Sequence, residues 1–245
     1  MKKNNIHIIM PVKDSLETAE RAIRAIVDSG HTLTVYNDNS TAENTQRLHA
    51  LAEQLAFTLI DIAAITDHPS PNYLYVLKDA RSHALAERSA LIIVESDVIV
   101  SGDTINRLAS DYLPSADSLS PSAPIGLVAA VTHDTEGQIN FPYGYARSWK
   151  QTGSVVTKKR FSFCCTMLTT ELLEALDFEQ ELDPEKNWYD VTISHRSIEL
   201  GFTNILMLDN PVLHLPHSSR PWKQLKYTNP LLYYWRKLTQ RKDRI

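Results

Sequence analysis

Short apolar runs and longer amphipathic segments alternate along the first part of the chain. In the clearest amphipathic segment, Leu16, Ala19 and Ile23 recur at the spacing of one helix face, and the pattern ends near Gly30. Strands are predicted at residues 6–10, 33–36, 57–60 and 91–94, and helices at residues 16–27, 40–55 and 73–89. This alternation predicts repeated β-α units, in which parallel strands are joined by right-handed crossovers.

Local signals refine this outline. Ser40 and Glu43 have the S-x-x-E spacing of a capping box, which predicts that the second helix begins at Ser40. Residues 113–124 are rich in serine and proline and predict a surface loop. Strand character resumes at residues 125–131. The pattern as a whole is typical of an α/β protein.

Composition places the chain among globular proteins. It has 245 residues, 43% of them hydrophobic, which is enough to bury the core of one α/β domain. No run of about 18 apolar residues occurs, and the first residues lack the apolar core of a signal peptide, so we expect a cytoplasmic protein. Cys164 and Cys165 are adjacent, a spacing that suits neither an ordinary disulfide nor a multi-cysteine zinc site. They are interpreted as small buried hydrophobes.

Charge is unevenly distributed. The chain carries a net charge of −4, yet residues 218–245 hold eight Lys or Arg and one acid, Asp243, which leaves about −11 for the rest. The same extension carries five aromatic residues, Trp222, Tyr227, Tyr233, Tyr234 and Trp235. Three interpretations stay open: a surface that contacts anionic lipid at the inner face of a membrane, a terminal helix that packs its aromatic side chains on the domain, and a lid that covers the donor site. Nucleic acid is disfavoured because the basic residues are confined to one end.

The candidate chemistry begins at Glu95-Ser96-Asp97, which follows the apolar run at residues 91–94. Open α/β sheets bind ligands at the carboxyl ends of their strands. Because residues alternate faces along an extended segment, Glu95 and Asp97 point the same way and can share one divalent cation. The alternative is a strand end whose acids only face solvent.

The glycines exclude several common nucleotide-binding classes. There are seven in the chain, and no G-x-G-x-x-G or G-x-x-x-x-G-K-[ST] occurs, so a dinucleotide enzyme or a P-loop phosphotransferase would lack its phosphate cradle. The absence of G-x-S-x-G argues against a serine hydrolase. A metal ion would have to hold a diphosphate instead.

Several short segments, in order, resemble motifs of the family 2 glycosyltransferases. They are the P-V segment at Met10-Pro11-Val12-Lys13, the V-D-D-x-S-T turn at residues 35–41, the A-R-N segment at Ala80-Arg81-Ser82, the D-x-D at Glu95-Ser96-Asp97, the stretch before the acceptor helix at residues 163–167, the E-D-x-D-x-x-x-R at residues 188–196, and Gly201 with Val212-Leu213-His214. The resemblance covers roughly residues 5 to 219.

This resemblance implies a GT-A fold, a Rossmann-like and mostly parallel sheet flanked by helices. It implies a single domain over residues 1–217, with a nucleotide-binding half at about 1–100 and an acceptor half at about 125–217. Residues 218–245 then form a basic and aromatic C-terminal extension.

The resemblance also implies donor-binding residues. Asp38 is similar to the acid that accepts a hydrogen bond from the donor base, although it is also suited to starting a helix. Asp97 and His214 would bind Mn²⁺ or Mg²⁺, with a purely structural role as the alternative for the histidine. The other residues implied to contact the donor are Pro11, Val12, Arg81, Glu95 and Ser96. For Arg81, simple solvation is the alternative.

On the acceptor side, Asp190 is implied to be the catalytic base, and Trp188 and Tyr189 to contact the acceptor. The alternative for Asp190 is an acid in the first turn of a helix, and the alternative for Trp188 is an aromatic residue that packs in the core. Two positions depart from the family pattern, because Tyr189 stands where the family has Glu and Thr192 stands where it has its second Asp.

The resemblance implies an inverting transfer of a sugar from a nucleotide-diphosphate sugar to a hydroxyl of a saccharide or lipid-linked glycan, as in polysaccharide biosynthesis. A non-catalytic nucleotide-sugar-binding module is the main alternative, and the departures at Tyr189 and Thr192 favour it. A sugar-1-phosphate nucleotidyltransferase is less favoured, since no glycine-rich loop follows the first strand.

Overall fold

A computed structural model describes residues 5–110, 123–184, 188–215 and 229–240. The chain divides into two compact units, Met1–Leu215 and Pro216–Ile245. The predicted loop at 113–124 falls almost entirely outside the described residues, as does much of the C-terminal extension. The division of the first unit into a donor half and an acceptor half stays a prediction.

The described elements follow the predicted alternation in the first half of the chain. The strands are β1 (Ile6–Val12), β2 (Thr34–Asn37), β3 (Thr58–Asp61), β4 (Ala90–Val94), β5 (Val98–Ile99), β6 (Ile125–His133), β7 (Ser154–Val156), β8 (Cys165–Leu168) and β9 (Thr203–His214). The helices are α1 (Leu16–Asp28), α2 (Ala42–Leu55), α3 (Tyr73–Ala86), α4 (Thr104–Ser110), α5 (Thr170–Ala175), α6 (Phe178–Glu181), α7 (Tyr189–Glu199) and α8 (Pro230–Gln240), with 3₁₀ turns at Ile62–Ala64 and Gly144–Ser148.

One sheet joins the nine described strands. Its order is β3-β2-β1-β4-β8-β6-β9-β5, and β7 also pairs with β9. The first four strands are parallel, and β9 is parallel to β6. By contrast, β8 is antiparallel to both β4 and β6, and β5 and β7 are antiparallel to β9. Val12 lies opposite Asn37, and Asn37 lies opposite Asp61, so β1, β2 and β3 end at one edge.

Both faces of the sheet are covered by apolar side chains. Ile8 and Met10 of β1 join a cluster with Ile23 of α1, whereas Ile9 joins a second cluster with Leu77 of α3. Successive strand residues therefore pack on opposite sides, which is why the buried strands are continuous apolar runs rather than alternating ones. Burial of both faces leaves the ends of the strands as the place where polar residues can collect.

The predicted capping box is wrong by one residue. Thr41 is the N-cap of α2, and its hydroxyl accepts a hydrogen bond from the N–H of Asn44 at 3.4 Å. The Ser40 hydroxyl instead accepts from the N–H of Asp14 at 3.0 Å, and the Asp14 carboxylate accepts from the N–H of Thr41 at 2.7 Å. Ser40 therefore connects the turn after β2 to the turn after β1, a contact that no local pattern encodes.

Other predictions are confirmed. The predicted strands at the start of the chain and the one at 125–131 are present, with bounds that differ by a few residues. Cys164 and Cys165 are buried and form no disulfide. In the described part of the chain, no helix combines the length and the apolar character needed to cross a bilayer. The cytoplasmic location stays a prediction.

The described part of the second unit is the helix α8. On this helix Leu231, Tyr234 and Trp235 are exposed. The rings of Tyr233 and Tyr234 contact each other edge to face, with centroids 5.2 Å apart. The helix does not distinguish the interpretations of the extension, because a membrane-surface segment and a terminal packing segment are both helical and a lid can be helical as well.

Candidate active site

The acids Glu95 and Asp97 lie in the turn between β4 and β5. The N–H of Glu95 donates to the carbonyl of Cys164 at 3.0 Å, and the N–H of Val98 donates to the carbonyl of Glu95 at 3.0 Å. The carbonyl of Asp97 accepts from the N–H of Leu215 at 2.8 Å, which extends the pairing of β5 with β9. The turn is thus held on two sides, and the end of β9 is brought beside it.

Asp97 and His214 face each other across this turn. The Nε2 atom of His214 lies 3.5 Å from Oδ2 of Asp97, which is only 6% exposed. The Nδ1–H of His214 donates to the carbonyl of Phe141 at 2.8 Å, which directs Nε2 toward the acid. Burial opposes a charge on His214, but the hydrogen bond and charge of Asp97, with the charge of Glu95, raise its pKa above the usual value.

Glu95 is the most strongly perturbed carboxyl group of the site. Burial, followed by the negative charges of Asp97 and Asp190, raises its pKa to about 7. The thiol of Cys164 donates to Oε2 of Glu95 at 3.5 Å, which favours the carboxylate form. Burial likewise raises the pKa of the Cys164 thiol, so this group is a neutral donor rather than a nucleophile.

Asp190 reaches the same cluster from the first turn of α7. Burial raises its pKa, while the N–H of Val191, the charge of Arg160 and the hydroxyl of Ser162 favour its charged form. Its backbone is held in place, since the Ser194 hydroxyl donates to the Asp190 carbonyl at 2.6 Å. An acid in the first turn also benefits from the helix dipole. Asp190 is therefore a fixed carboxyl group whose proton affinity is increased.

Tyr73 belongs to this cluster, although the sequence gives no sign of it. Its ring is stacked with those of Phe163 and Tyr189, whose centroids are 6.1 Å and 6.4 Å away. Its hydroxyl is buried and has no hydrogen-bond partner among the described residues. Burial, then the charges of Glu95 and Asp190, raise its pKa well above the usual value. The result is a neutral O–H group within reach of the charges of several acids.

Asp38 lies at the end of β2, where it is buried and has several partners. Its carboxylate accepts from the Ser70 hydroxyl at 2.8 Å and from the backbone and side-chain N–H groups of Asn72 at 3.0 Å and 2.8 Å. Its own N–H donates to the carbonyl of Val12 at 2.8 Å. The contacts with Ser70 and Asn72 were not predicted, because these residues come from the loop before α3. They orient the acid and leave part of its acceptor capacity for a ligand.

Arg81 is a predicted site residue whose side chain contacts α5 and α6 rather than the acids. Its Nε–H donates to the carbonyl of Leu173 in α5 at 2.9 Å, and its guanidinium lies 5.3 Å from the centre of the Phe178 ring. These contacts tie α3 to α5 and α6. That Arg81 contacts the donor stays a prediction. The alternative of simple solvation is wrong, because the side chain has specific contacts with Leu173 and Phe178.

The remaining predicted residues occupy different surroundings. Pro11 lies in β1 opposite Tyr36, and the Val12 side chain belongs to the core. Ser96 and Trp188 are half-buried, and Trp188 stands at the N-cap of α7. Tyr189 is 4% exposed, so its ring packs against Tyr73 and offers little surface to an acceptor.

Carboxylates are concentrated at this site, but the described residues do not form a complete set of metal ligands. In residues 5–110, 123–184, 188–215 and 229–240, no group of three or more His, Cys, Asp or Glu side chains is arranged to hold a metal ion. The two groups that face each other, Asp97 and His214, supply one oxygen and one nitrogen donor at 3.5 Å. Such a pair would need further ligands from a bound molecule or from water.

Comparisons with known proteins identify the fold. The sequence matches no protein-family model and no curated protein. Among solved structures, S. aureus TarS 1–349 in complex with UDP is similar over 91% of this chain and 63% of its own length, with 14% identity and a TM-score of 0.58. GalNAc-T7 with UDP, GalNAc and Mn²⁺ is similar over 88% of this chain and 44% of its own, with 11% identity and a TM-score of 0.57.

A third similar structure is glucosyl-3-phosphoglycerate synthase from Mycobacterium tuberculosis in complex with Mn²⁺, UDP and glucosyl-3-phosphoglycerate. It is similar over 91% of this chain and 75% of its own length, with 16% identity and a TM-score of 0.51. The chain thus spans less than two thirds of TarS 1–349 and of GalNAc-T7. At these identities the likeness concerns the backbone architecture, and the chain has the GT-A fold of these glycosyltransferases.

Proposed function

We propose that this chain is a glycosyltransferase that moves a sugar from a nucleotide-diphosphate sugar to a hydroxyl group of a saccharide or lipid-linked glycan, with inversion. One observation carries the proposal: Glu95, Asp97, Asp190 and His214 come together at the carboxyl edge of a GT-A sheet. Ligands bind open α/β sheets at this edge. The cluster is rich in acids, which suits chemistry that needs a cation and a general base.

The donor would lie along the ends of β1, β2 and β4. Asp38 would accept a hydrogen bond from a ring N–H of the base, and Ser70 and Asn72 hold its carboxylate in place. The same edge would include the end of β1, with Pro11 and Val12, and the turn after β4, with Glu95 and Ser96. The relatives with UDP motivate a uridine nucleotide as the first candidate.

Asp97 and His214 would hold a divalent cation, Mn²⁺ or Mg²⁺. Their donor atoms fit one, because a carboxylate oxygen and an imidazole nitrogen face each other and the Phe141 carbonyl fixes the histidine tautomer. Phosphate oxygens and water would complete the coordination, since the described chain offers no third ligand group. When bound, the cation would neutralise the charge that grows on the departing nucleotide diphosphate.

Asp190 would act as the general base. As the acceptor oxygen forms a bond to the anomeric carbon, the bond from that carbon to the diphosphate oxygen breaks, and the acceptor proton passes to a carboxylate oxygen of Asp190. Attack from the face opposite the leaving group inverts the anomeric centre. The raised pKa of Asp190, which results from burial, makes it a stronger base than an exposed aspartate.

The donor site is tested by thermal unfolding of the full chain with UDP and with GDP, each with and without Mn²⁺. A nucleotide at 100 times its Kd adds about 2.7 kcal/mol to the free energy of unfolding. We expect a metal-dependent gain with one nucleotide and its loss in Asp97→Asn. Asp28→Asn, an exposed aspartate at the end of α1, is the matched control and should keep the gain. An unchanged gain in Asp97→Asn would contradict the metal role.

Turnover separates the enzyme from a binding module of the same fold. We expect Asp190→Asn to retain nucleotide binding but to lose at least about a hundredfold in transfer or donor hydrolysis, the scale of general-base catalysis. Nucleotide binding by the unaltered chain with no turnover toward any donor would favour the binding module. Full turnover in Asp190→Asn would exclude Asp190 as the base.

A further inference from the structure

A basic segment lies next to Asp190. Residues 138–170 contain five Lys or Arg and no Asp or Glu, in a chain whose net charge is −4. These cations are Arg147, Lys150, Lys158, Lys159 and Arg160. Of these, Arg160 is half-buried and the others are exposed. None of them forms an ion pair within 4.0 Å among the described residues.

The backbone of this segment is well held. The N–H of Thr157 donates to the carbonyl of Asn204 at 3.0 Å, and the N–H of Lys159 donates to the Thr157 hydroxyl at 3.1 Å. The Tyr145 hydroxyl donates to the carbonyl of Arg160 at 3.1 Å. The turn that presents Lys158, Lys159 and Arg160 is therefore fixed by strand β9 on one side and by the 3₁₀ turn at Gly144–Ser148 on the other.

The turn is also fastened to the helix that carries Asp190. The N–H of Phe161 donates to the Ser194 hydroxyl at 2.9 Å, and that hydroxyl donates to the Asp190 carbonyl at 2.6 Å. The charge of Arg160 acts on the Asp190 carboxyl group, as does the hydroxyl of Ser162. Arg160 therefore lies on the acceptor side of the site, connected to α7 rather than to the turn after β4.

Among the described residues no carboxylate lies within 4.0 Å of Lys158, Lys159 or Arg160, so these successive cations repel one another, and the charge of Asp190 acts on the half-buried Arg160 only from beyond ion-pair distance. An uncharged saccharide acceptor would not need three cations close to the general base. Phosphate offers oxygens that both guanidinium and ammonium groups recognise. Solvated surface charge is the competing explanation for Lys158 and Lys159, but it explains the half-buried Arg160 poorly.

We propose that Lys158, Lys159 and Arg160 bind a phosphate group of the acceptor and so place the acceptor hydroxyl at Asp190. The acceptor would then be a phosphorylated sugar or polyol, free or within a polymer. This inference rests on the proposed function for its assignment to an acceptor, but the anion site itself does not depend on nucleotide binding.

The test measures binding of two matched pairs to the full chain by calorimetry: glucose 6-phosphate against glucose, and glycerol 3-phosphate against glycerol. Each titration is done without nucleotide and with UDP and Mn²⁺ at saturating concentrations. We expect at least one phosphate compound to bind about tenfold or more tightly than its uncharged partner, with affinity that falls as salt is raised. Saturation with UDP and Mn²⁺ should leave this binding intact.

The variant Lys159→Gln/Arg160→Gln should weaken phosphate binding by about tenfold or more, since two charge-assisted contacts are lost. The single variant Arg160→Lys, in which Lys159 is unchanged, retains both charges. It should keep part of the phosphate affinity that Lys159→Gln/Arg160→Gln loses. The control, Arg21→Gln/Arg47→Gln, removes two exposed cations from α1 and α2 and should bind phosphate normally. The Tyr145 hydroxyl contacts the backbone carbonyl of Arg160, which every variant keeps, so all variants should remain folded and unfold cooperatively.

Three results would overturn the proposal: equal affinity for charged and uncharged partners, unchanged phosphate affinity in Lys159→Gln/Arg160→Gln, or displacement of the phosphate compounds by UDP and Mn²⁺, which would assign the cations to the donor. Failure of the proposed function looks different. In that case UDP and GDP give no metal-dependent stabilisation, while the phosphate compounds still bind and still depend on Arg160.

Discussion

At the residue scale, the site places a neutral hydroxyl among acids without giving it a partner. The Tyr73 hydroxyl is buried near Glu95 and Asp190, and stacking on Phe163 and Tyr189 leaves its ring little freedom to turn away. A buried polar group without a hydrogen bond lowers stability. Such a cost is typical of a group that acquires its partner from a ligand.

Tyr73→Phe should therefore raise the free energy of unfolding and lower activity. Removing a hydroxyl that has no partner should add about 1 kcal/mol of stability. Transfer should slow, because the bound substrate would lose a hydrogen-bond donor. Urea unfolding and turnover measure the two effects. Tyr75→Phe, two residues further along α3, is the control and should change stability by less than about 0.5 kcal/mol; equal behaviour of the two variants would exclude a special role for the Tyr73 hydroxyl.

A second residue-scale prediction concerns pH. Burial lowers the pKa of His7 in β1, with a further lowering by His83 that Glu87 and Asp79 oppose. The unfolded chain then binds more protons than the folded one, so this contribution to stability is present above the ordinary pKa of 6.5 and is lost as pH falls below it.

Urea unfolding at pH 7 and pH 5 should show a smaller loss of stability in His7→Gln than in the unaltered chain. His195→Gln, at an exposed position of α7, should leave the pH dependence as it is. The same pH dependence in all three proteins would show that His7 does not contribute to it.

At the element scale, α7 is positioned by close packing against β6. An added Cβ at Gly126 would lie 2.2 Å from the Ser197 hydroxyl oxygen and 2.8 Å from Cβ of Phe202. The Ser197 hydroxyl donates to the side-chain oxygen of Asn204 at 2.6 Å, so it is not free to move aside. The helix that presents Asp190 therefore depends on a glycine in the facing strand.

Gly126→Ala should lower the free energy of unfolding by about 1–3 kcal/mol, because overpacking must displace α7 or break the Ser197 contact. It should also reduce turnover more than nucleotide binding, since Asp190 moves with α7. Gly102→Ala meets no atom within 4 Å and is the matched control for stability. A neutral effect of Gly126→Ala would show that the helix packs less tightly than the distances indicate.

At the scale of the whole molecule, charge is segregated along the chain. The C-terminal extension from residue 218 is strongly basic, while the remainder is acidic at about −11. Within the extension, α8 exposes Leu231, Tyr234 and Trp235. A helix with exposed aromatic side chains in a basic segment is suited to the surface of an anionic bilayer.

The full chain should cosediment with vesicles that contain phosphatidylglycerol, and less so with pure phosphatidylcholine or at high salt. Deletion of residues 218–245 should abolish this binding. If the shortened protein loses turnover but the full chain never binds vesicles, the extension acts on the site instead, as a lid would.

The spacing of apolar residues was sufficient to predict the β-α alternation and the acids at the end of β4. Both depend on local periodicity, since a strand buried on two faces must be apolar throughout and its polar residues must follow it. The resemblance to family 2 glycosyltransferases anticipated the GT-A fold, which the structural comparisons bear out. The assigned roles of Asp38, Asp97 and Asp190 stay predictions.

Tertiary structure alone decided which groups surround those acids. The Cys164 thiol, the Phe141 carbonyl and the Tyr73 hydroxyl reach the cluster from other elements, and Arg81 contacts α5 and α6, which the sequence pattern did not indicate. The insertion of β8 antiparallel between β4 and β6 was equally hidden from the pattern. The physical reason is that periodicity encodes which face of an element is buried, whereas the neighbours across that face are set by packing between segments far apart in the chain.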